Sequence, residues 1–293
     1  MIPSTLSLYQ FFCFLSTSKR DKNPFFSPSF SLTIGAICDT INKKQKAAQG
    51  AVFLLNQKGC DINMIGFIGA MGIEVEALQQ KMLDKKEEVI SGIRFVSGTL
   101  HGQRIVAAEC GVGKVFAALC AQTMILHFHV CQIINTGVSG TLTNKLSIGQ
   151  IAIADQVVQH DMDTTPLGDP PGLLSGIGQV KLACDREIVK KLEESVQKTG
   201  ISYQIGTIAS GDQFVHSSAQ KEKITSLFGA ISCEMEGAAI GQVCYVNKIP
   251  FGVLRAISDD ADGNSPKDFP AFAARSAQTS LQVIDHYLQL PER

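Results

Sequence analysis

The sequence predicts a three-layer α/β domain over residues 64–290. Strands and helices alternate along this stretch, and several apolar runs of strand length end in polar or acidic residues. Of the 293 residues, 45% are hydrophobic and 18% are charged, which is enough to build a substantial core. Alternation of this kind is typical of a sheet covered by helices on both faces.

Hydrophobic periodicity and turn residues define the elements in chain order. Residues 64–70 are apolar and predict a buried strand, whereas residues 73–83 repeat apolar side chains at helical spacing. Residues 93–99 and 104–109 flank a His-Gly turn signal and are predicted to form a hairpin. The same reasoning predicts strands over residues 132–138, 148–158, 203–209 and 250–257, and helices over residues 111–127, 185–198, 217–228, 236–246 and 269–290.

Two of these helices have particularly clear patterns. Residues 185–198 are amphipathic, and Gly200 is expected to end that helix. The closing helix is expected to turn its apolar side chains inward, namely Phe269, Phe272, Ala277, Leu281, Ile284 and Leu288.

Composition excludes several classes of protein. The net charge of −1 and the lack of a basic stripe argue against a nucleic-acid partner. No apolar run reaches the ~20 residues of a membrane-spanning helix, so no membrane partner is expected. Nine scattered cysteines without CxxC spacing favour reduced, buried thiols and a cytoplasmic location.

Residues 1–63 lack the periodicity of the rest, and the functional domain is predicted over residues 64–293. The basic residues Lys19 and Arg20 follow the first apolar run, whereas a signal peptide has its basic residues before that run. We expect an extension that is disordered or not part of the functional protein. A cleaved targeting segment and a small ordered extension are the alternatives.

Acidic residues follow three separate apolar runs. Asp259 comes after residues 251–254 together with Arg255, Glu74 follows the first predicted strand, and Glu234 and Glu236 follow residues 230–233. Each acid alone could be a helix-start residue stabilised by the helix dipole. Because ligands bind at the carboxyl ends of strands in open α/β sheets, their convergence predicts acid–base chemistry on a small molecule.

Other motifs give weaker evidence for a metal site, a phosphate-binding loop or a nucleophile. The pairs His127 and His129, and His160 and Asp161, lack the second ligand pair of a zinc site, so no metal is expected. Residues 111–114 match neither a Walker loop nor GxGxxG. No nucleophile-elbow motif surrounds Ser139, which argues against a serine nucleophile.

Taken together, the segments resemble the 5′-methylthioadenosine/S-adenosylhomocysteine nucleosidases of the nucleoside phosphorylase superfamily. This resemblance covers about four-fifths of the chain and implies a mixed sheet flanked by helices, a homodimer and no cofactor. The matching segments are residues 65–71 with Glu74, residues 111–115, residues 134–137, His160-Asp161, residues 210–214, residues 234–236 and residues 255–259.

The resemblance also implies an activity, which is hydrolysis of the N-glycosidic bond of 5′-substituted adenosines with release of adenine in methionine salvage. Asp259, supported by Ser258, would donate a proton to purine N7. Glu74 would activate the attacking water, and Arg255 would help to hold it. Protonating the purine makes it a good leaving group, in parallel with the paired carboxylates of glycosidases.

The implied binding residues surround the nucleoside. Glu236 would bind the ribose hydroxyls and Met235 would pack on the sugar, with Glu234 beside them. Phe214 would stack on adenine, while the backbone of Val215 reads its edge. Three residues would line the pocket for the 5′ substituent, namely Met71, Val112 and Phe269.

Three departures from the family pattern leave the 5′ substituent open. Residues 138–141 replace a small Ser-Ala-Gly-Gly-like turn, and Gly72 and Ile73 stand where glutamates are common. Residues 164–169 lack the aromatic residues that cap a neighbouring subunit's pocket in the family. The alternatives are therefore a methylthio, homocysteinyl, 5′-deoxy or futalosine-type tail.

Three other functions remain as alternatives. A phosphorylase would want arginines in its glycine loops to hold phosphate, and this chain has only Lys114 near the first such loop. A non-catalytic nucleoside-binding protein could lose Glu74 or Asp259, but both are present. A purely structural oligomer would leave the convergent acids unexplained.

Overall fold

The computed structural model describes residues 63–261 and 269–291, with the side chains of the last helix from residue 272 onward. The predicted extension lies outside the described residues, apart from Asn63. Ten strands join in one mixed sheet. They are β1 (Met64–Gly69), β2 (Leu83–Ile90), β3 (Ile93–Leu100), β4 (Gln103–Glu109), β5 (Gln132–Thr141), β6 (Ile151–Gln159), β7 (Lys181–Ala183), β8 (Tyr203–Ser210), β9 (Ser232–Glu234) and β10 (Phe251–Asp259).

Two of the helices begin at residues whose side chains cap their first turn. The Asp185 side chain accepts hydrogen bonds from the first turn of one helix, and Gly200 ends it at a φ of 72°. Ser217 caps the next helix in the same way. The helices are α1 (Gly72–Lys81), α2 (Lys114–Leu126), α3 (Arg186–Thr199), α4 (Ser218–Phe228), α5 (Gly237–Asn247) and α6 (Phe269–Gln289).

Helices cover both faces of the sheet, which confirms the predicted three layers. Side chains of β1 alternate between two cores: Ile68 packs with α2 and α5, whereas Phe67 packs with α1, α3 and α6. The predicted inward residues Ala277, Leu281, Ile284 and Leu288 of α6 are buried. Phe272 is half-buried, and the side chain of Phe269 lies outside the described residues.

The sheet is more closed than the sequence predicts. Its strand order is β10-β6-β8-β9-β5-β1-β4-β3-β2, and β10 also pairs with β5. The strands β5, β10, β6, β8 and β9 therefore form a closed ring, and β1 to β4 extend from one side of it. Among the described helices, none has both the length and the apolar character that a membrane crossing requires.

Strands β2, β7 and β9 are absent from the predicted strands, although β9 overlaps the apolar run of residues 230–233. All but the last residue of β2 are exposed, and its sequence LDKKEEVI has no buried alternation that would signal a strand. It is held by antiparallel pairing with β3. Helix α1 consequently ends at Lys81, two residues earlier than predicted.

Candidate active site

Acidic side chains meet where several strands end. Strand β5 lies between β1 and β10 and runs parallel to both, so the carboxyl ends of these three strands share one edge. Glu74 lies in the first turn of α1 after β1, and Asp259 is the last residue of β10. Glu234 ends β9, and Glu236 immediately precedes α5. The fold thus brings together the acids that the sequence indicated.

Glu74 is held by backbone donors on both sides. Its Oε2 accepts hydrogen bonds from the N–H groups of Ala70 at 2.7 Å and Met71 at 2.9 Å. Its Oε1 accepts one from the N–H of Val138 at 3.0 Å. Burial raises the pKa of Glu74, while the charge of Arg255 and these hydrogen bonds lower it. The net rise moves the carboxyl toward the range in which a general base is effective.

Arg255 is the cation at the centre of the acidic group, and its side chain is only 1% exposed. It makes an ion pair with Glu234, donates a hydrogen bond to Oδ1 of Asn135, and lies 3.6 Å from Glu236. The Glu234 Oε2 also accepts from the N–H groups of Glu236 at 3.0 Å and Gly237 at 2.8 Å. Burying charges is costly unless they are paired, and here the pairing is extensive.

Two glycines in β5 make room for this arrangement. A Cβ on Gly137 would contact the Arg255 guanidinium and would lie 2.8 Å from the Glu74 carboxyl carbon. A Cβ on Gly140 would lie 2.7 Å from Oδ1 of Asp259. Both distances are shorter than real Cβ contacts, so the site requires glycine at these two positions.

Asp259 is a buried carboxyl with two hydrogen-bond donors. Ser258 Oγ donates to its Oδ2 at 2.9 Å, and the N–H of Ala261 donates to its Oδ1 at 3.0 Å. Burial raises the pKa of Asp259, and the hydrogen bonds from Ser258 and Ala261 lower it, with a net rise. A carboxyl with a raised pKa is a better proton donor near neutral pH.

Glu236 is a buried carboxyl whose pKa lies close to neutral pH. Burial and the charge of Glu234 raise its pKa to about 7, against the lowering effects of Arg255 and the Gly113 N–H. That N–H donates to Oε1 of Glu236 at 2.8 Å. Glu236 therefore changes charge within the physiological pH range.

These groups line one open cavity of about 690 Å³, a volume that includes its mouth. All candidate residues from the sequence line it except Phe269, whose side chain lies outside the described residues. The lining candidates are Met71, Glu74, Val112, Phe214, Val215, Glu234, Met235, Glu236, Arg255, Ser258 and Asp259.

Several further residues line the cavity that the sequence did not single out as site residues. They are Ala70, Val138, Ser139, Gly140, Gln213 and Cys233. Asn135 was also missed as the partner of Arg255. The signal in the sequence was the unusual run of small and polar residues within β5, which an apolar core strand would not carry.

No group of three or more His, Cys, Asp or Glu side chains within the described ranges is arranged to hold a metal ion. The thiol of Cys233 is buried, and burial raises its pKa. Cys233 therefore remains a neutral thiol beside the carboxyls. Because the thiolate is the reactive form of cysteine, the neutral thiol is unreactive.

The fold and the acidic cavity place the chain in a known class of proteins. The family model of the phosphorylase superfamily matches residues 64–289. A 5′-methylthioadenosine/S-adenosylhomocysteine nucleosidase of Staphylococcus aureus is 36% identical over 223 residues, covering 76% of this chain and 97% of that protein. The chain belongs to this nucleosidase family within the phosphorylase superfamily.

Solved structures agree with this assignment. The nucleosidase of Neisseria meningitidis in complex with methylthio-immucillin-A has a TM-score of 0.75 and 32% identity, covering 78% of this chain and 99% of that one. The structure of futalosine hydrolase from Helicobacter pylori has a TM-score of 0.74 and 36% identity, and the match covers 77% of this chain and 97% of that one. The expected mixed sheet flanked by helices is confirmed.

Proposed function

We propose that this protein hydrolyses the N-glycosidic bond of 5′-methylthioadenosine, S-adenosylhomocysteine and related 5′-substituted adenosines. The observation that carries the proposal is that Glu74 and Asp259, two buried carboxyls with raised pKa values, line the same cavity. The relatives of this chain are nucleosidases of the same kind.

Asp259 is the proton donor in this proposal. In its neutral form it gives a proton to purine N7, and the electron pair of the C1′–N9 bond moves onto the purine as that bond breaks. Ser258 then stabilises the carboxylate that forms, because it already donates to Oδ2 at 2.9 Å. One general acid of this kind contributes about 10²–10⁴-fold to the rate.

Glu74 is the base that activates water. As C1′ becomes cationic, the water oxygen bonds to it, and a water proton passes to the Glu74 carboxylate. The three backbone donors keep that carboxylate fixed, and the charge of Arg255 favours its ionised form. The next cycle requires only that Glu74 lose a proton and Asp259 regain one, so no cofactor takes part.

The remaining lining residues bind the nucleoside. Glu236 accepts hydrogen bonds from the ribose hydroxyls, and Met235 packs against the sugar next to Glu234. Phe214 lines the cavity with a 49% exposed side chain, and its ring stacks on adenine beside the backbone of Val215.

Met71 and Val112 give the 5′ substituent an apolar environment, and Phe269 is proposed to complete it. The exposed fraction of Val112 is 52%, so the tail region is open on one side. An alkylthio tail suits these side chains best. The similarity to a futalosine hydrolase is the reason to include a futalosine-type tail in any comparison.

The charges of the cavity favour water over phosphate as the nucleophile. Lys114 does not line the cavity, and its ammonium contacts Asp161 at 2.7 Å. A phosphate dianion would therefore face four acidic side chains and a guanidinium that is already paired. The charged side chains that line the cavity within the described residues are Glu74, Glu234, Glu236, Asp259 and Arg255.

We also propose that the protein is a homodimer, formed through an apolar face of α2 and α5. These helices pack together and leave several large apolar side chains exposed. Patches of this kind mark interaction surfaces. The exposed residues are Val115, Phe116, Leu119, Leu126, Tyr245 and Val246.

A cytoplasmic location and a role in methionine salvage complete the proposal. The buried cysteines of the described residues are free thiols, which suits a reducing compartment; they are Cys110, Cys120, Cys184, Cys233 and Cys244. Releasing adenine from methylthioadenosine leaves a sugar that still carries the methylthio group, which is the sulfur that salvage recovers.

The test is a substrate panel assayed for free adenine with and without phosphate. The panel contains 5′-methylthioadenosine, S-adenosylhomocysteine, 5′-deoxyadenosine and an adenosine that carries a futalosine-type 5′ tail. We expect adenine release that does not depend on phosphate. Release only with phosphate would indicate a phosphorylase, and tight binding without release would indicate a nucleoside-binding protein.

A further inference from the structure

Three loops meet beside the cavity through a polar network that the proposed chemistry does not use. The Lys114 ammonium donates to Oδ1 of Asp161 at 2.7 Å and to Oε1 of Gln159 at 3.2 Å. The Asp212 N–H donates to the other Asp161 oxygen at 2.8 Å. The Lys114 N–H in turn donates to Oδ1 of Asp212 at 2.8 Å. Each of Lys114, Asp161 and Asp212 is therefore bonded to the other two.

This network adjoins the ribose-side carboxylate. Gly113, next to Lys114, donates its N–H to Oε1 of Glu236 at 2.8 Å. Gly113 adopts a φ of 102°, and a Cβ there would lie 3.1 Å from Oδ1 of Asp212. The backbone at Gly113 is thus close to the network on one side and bonded to Glu236 on the other.

We propose that Lys114, Asp161 and Asp212 are positioning residues that hold the Gly113 N–H against Glu236. The inference deepens the proposed function and rests on it, since it gives the three residues a role in ribose binding. None of the three lines the cavity. They act by fixing one oxygen of Glu236, which leaves its other oxygen for the ribose hydroxyls.

The Lys114–Asp161 pair is suited to such a role. The two side chains are 19% and 15% exposed, so solvent screens their attraction less than it screens a surface pair. Burial raises the pKa of Asp161, but the bonds from Lys114 and Asp212 outweigh it and lower that pKa overall. Asp161 therefore stays ionised across the pH range of an assay.

Loss of the hydrogen bond from the Gly113 N–H would change the pKa of Glu236. The groups that act on this carboxyl are Glu234, Glu74, Arg255 and the Gly113 N–H. Loss of the N–H removes a hydrogen bond to the ionised form, so the pKa of Glu236 rises. Substrate binding then weakens at a higher pH than in the wild type.

The experiment compares Lys114→Met, Lys114→Arg and the control Lys81→Met. Lys81 forms a more exposed pair with Asp285, outside the cavity lining. We expect Lys114→Met to lower kcat/KM by about tenfold, mainly through KM, and to move the acidic limb of the pH profile upward. Lys114→Arg should recover part of the loss, and Lys81→Met should match the wild type.

A double-mutant cycle with Asp161→Asn tests the coupling. We expect the double variant to lose little more than Lys114→Met alone. Additive losses, or an acidic limb that stays in place in Lys114→Met, would overturn the proposal. If Lys114→Met fails to fold in a thermal melt, Asp212→Ala serves as the second variant, with the same expected shift.

Hydrogen exchange separates this proposal from the proposed function. In the protein without substrate, the amide hydrogens of residues 111–116 should exchange faster in Lys114→Met than in the wild type. This readout holds even if the wild type releases no adenine, which would defeat the proposed function alone. Unchanged exchange in this segment would refute the network as a positioning device.

Discussion

At the scale of single residues, a few buried charges decide what the cavity can do. Glu74 and Glu236 both lie within the influence of Arg255, yet burial raises the pKa of both carboxyls. Desolvation therefore exceeds the attraction of the guanidinium for these two groups. Such perturbed acids are typical of functional sites.

Glu236 gives a pH dependence that can be measured. Its pKa of about 7 means that it becomes neutral as pH falls below that value. A neutral carboxyl is a weaker acceptor for the ribose hydroxyls than a carboxylate. We expect kcat/KM to fall as pH is lowered through 7, mostly through a rise in KM.

Glu236→Gln provides the control, because an amide does not titrate. This variant should bind substrate less well at pH 8 and should lack the limb near pH 7. A limb near pH 7 that persists in Glu236→Gln would assign the titration to another group.

At the scale of elements, β5 determines whether the acids can converge. Gly140 faces Asp259 so closely that a methyl group has no room. Gly140→Ala should displace the proton donor and lower kcat by about 10²-fold or more, in line with the cost of misplaced catalytic groups. The measurement is the rate of adenine release at saturating substrate.

Gly176→Ala is the matched control, since a Cβ at Gly176 meets nothing within 4 Å. Equal kinetics for Gly140→Ala and the wild type would show that the close approach of β5 to Asp259 does not matter. A thermal melt of both variants distinguishes a local displacement from loss of the fold.

Some of the helices and strands can be predicted from the sequence, and others cannot. An unbroken apolar run is sufficient for β1, which is buried at every residue. Periodicity is sufficient to predict α3 and α6, because their buried faces repeat regularly. It failed for β2, where seven of eight residues are exposed and mostly charged or polar, so pairing with β3 alone defines the strand. Closure of the ring through β5 and β10 depends on long-range pairing that no local pattern encodes.

For the site, the acids at strand ends were visible in the sequence, but their partners were not. Asn135 lies 120 residues from Arg255 in the chain, and the Lys114–Asp161 pair spans 47 residues. Contacts of this kind arise only once the sheet has formed. The roles of the acids came from family resemblance rather than from spacing.

At the scale of the whole molecule, the family match over residues 64–289 suggests that the functional domain is self-sufficient. Strand β1 begins at Met64 and pairs on both sides, with β4 and β5. We expect a chain that begins at Met64 to be soluble and to keep adenine-releasing activity within about twofold of the full chain, a factor worth less than 0.5 kcal/mol.

The comparison of the two chains uses thermal unfolding and steady-state kinetics under the same conditions. A shortened chain that unfolds would show that residues before Met64 belong to the folded domain. Light scattering on both chains would report in addition whether the proposed homodimer forms.

The most direct test of the central claim is the rate of adenine release from 5′-methylthioadenosine in phosphate-free buffer. It compares the wild type with Asp259→Asn and Glu74→Gln. The account predicts that both variants stay folded and bind the nucleoside, while kcat falls about 10²–10⁴-fold in each. Near-wild-type turnover by either variant would contradict the claim that these two carboxyls split sugar from purine.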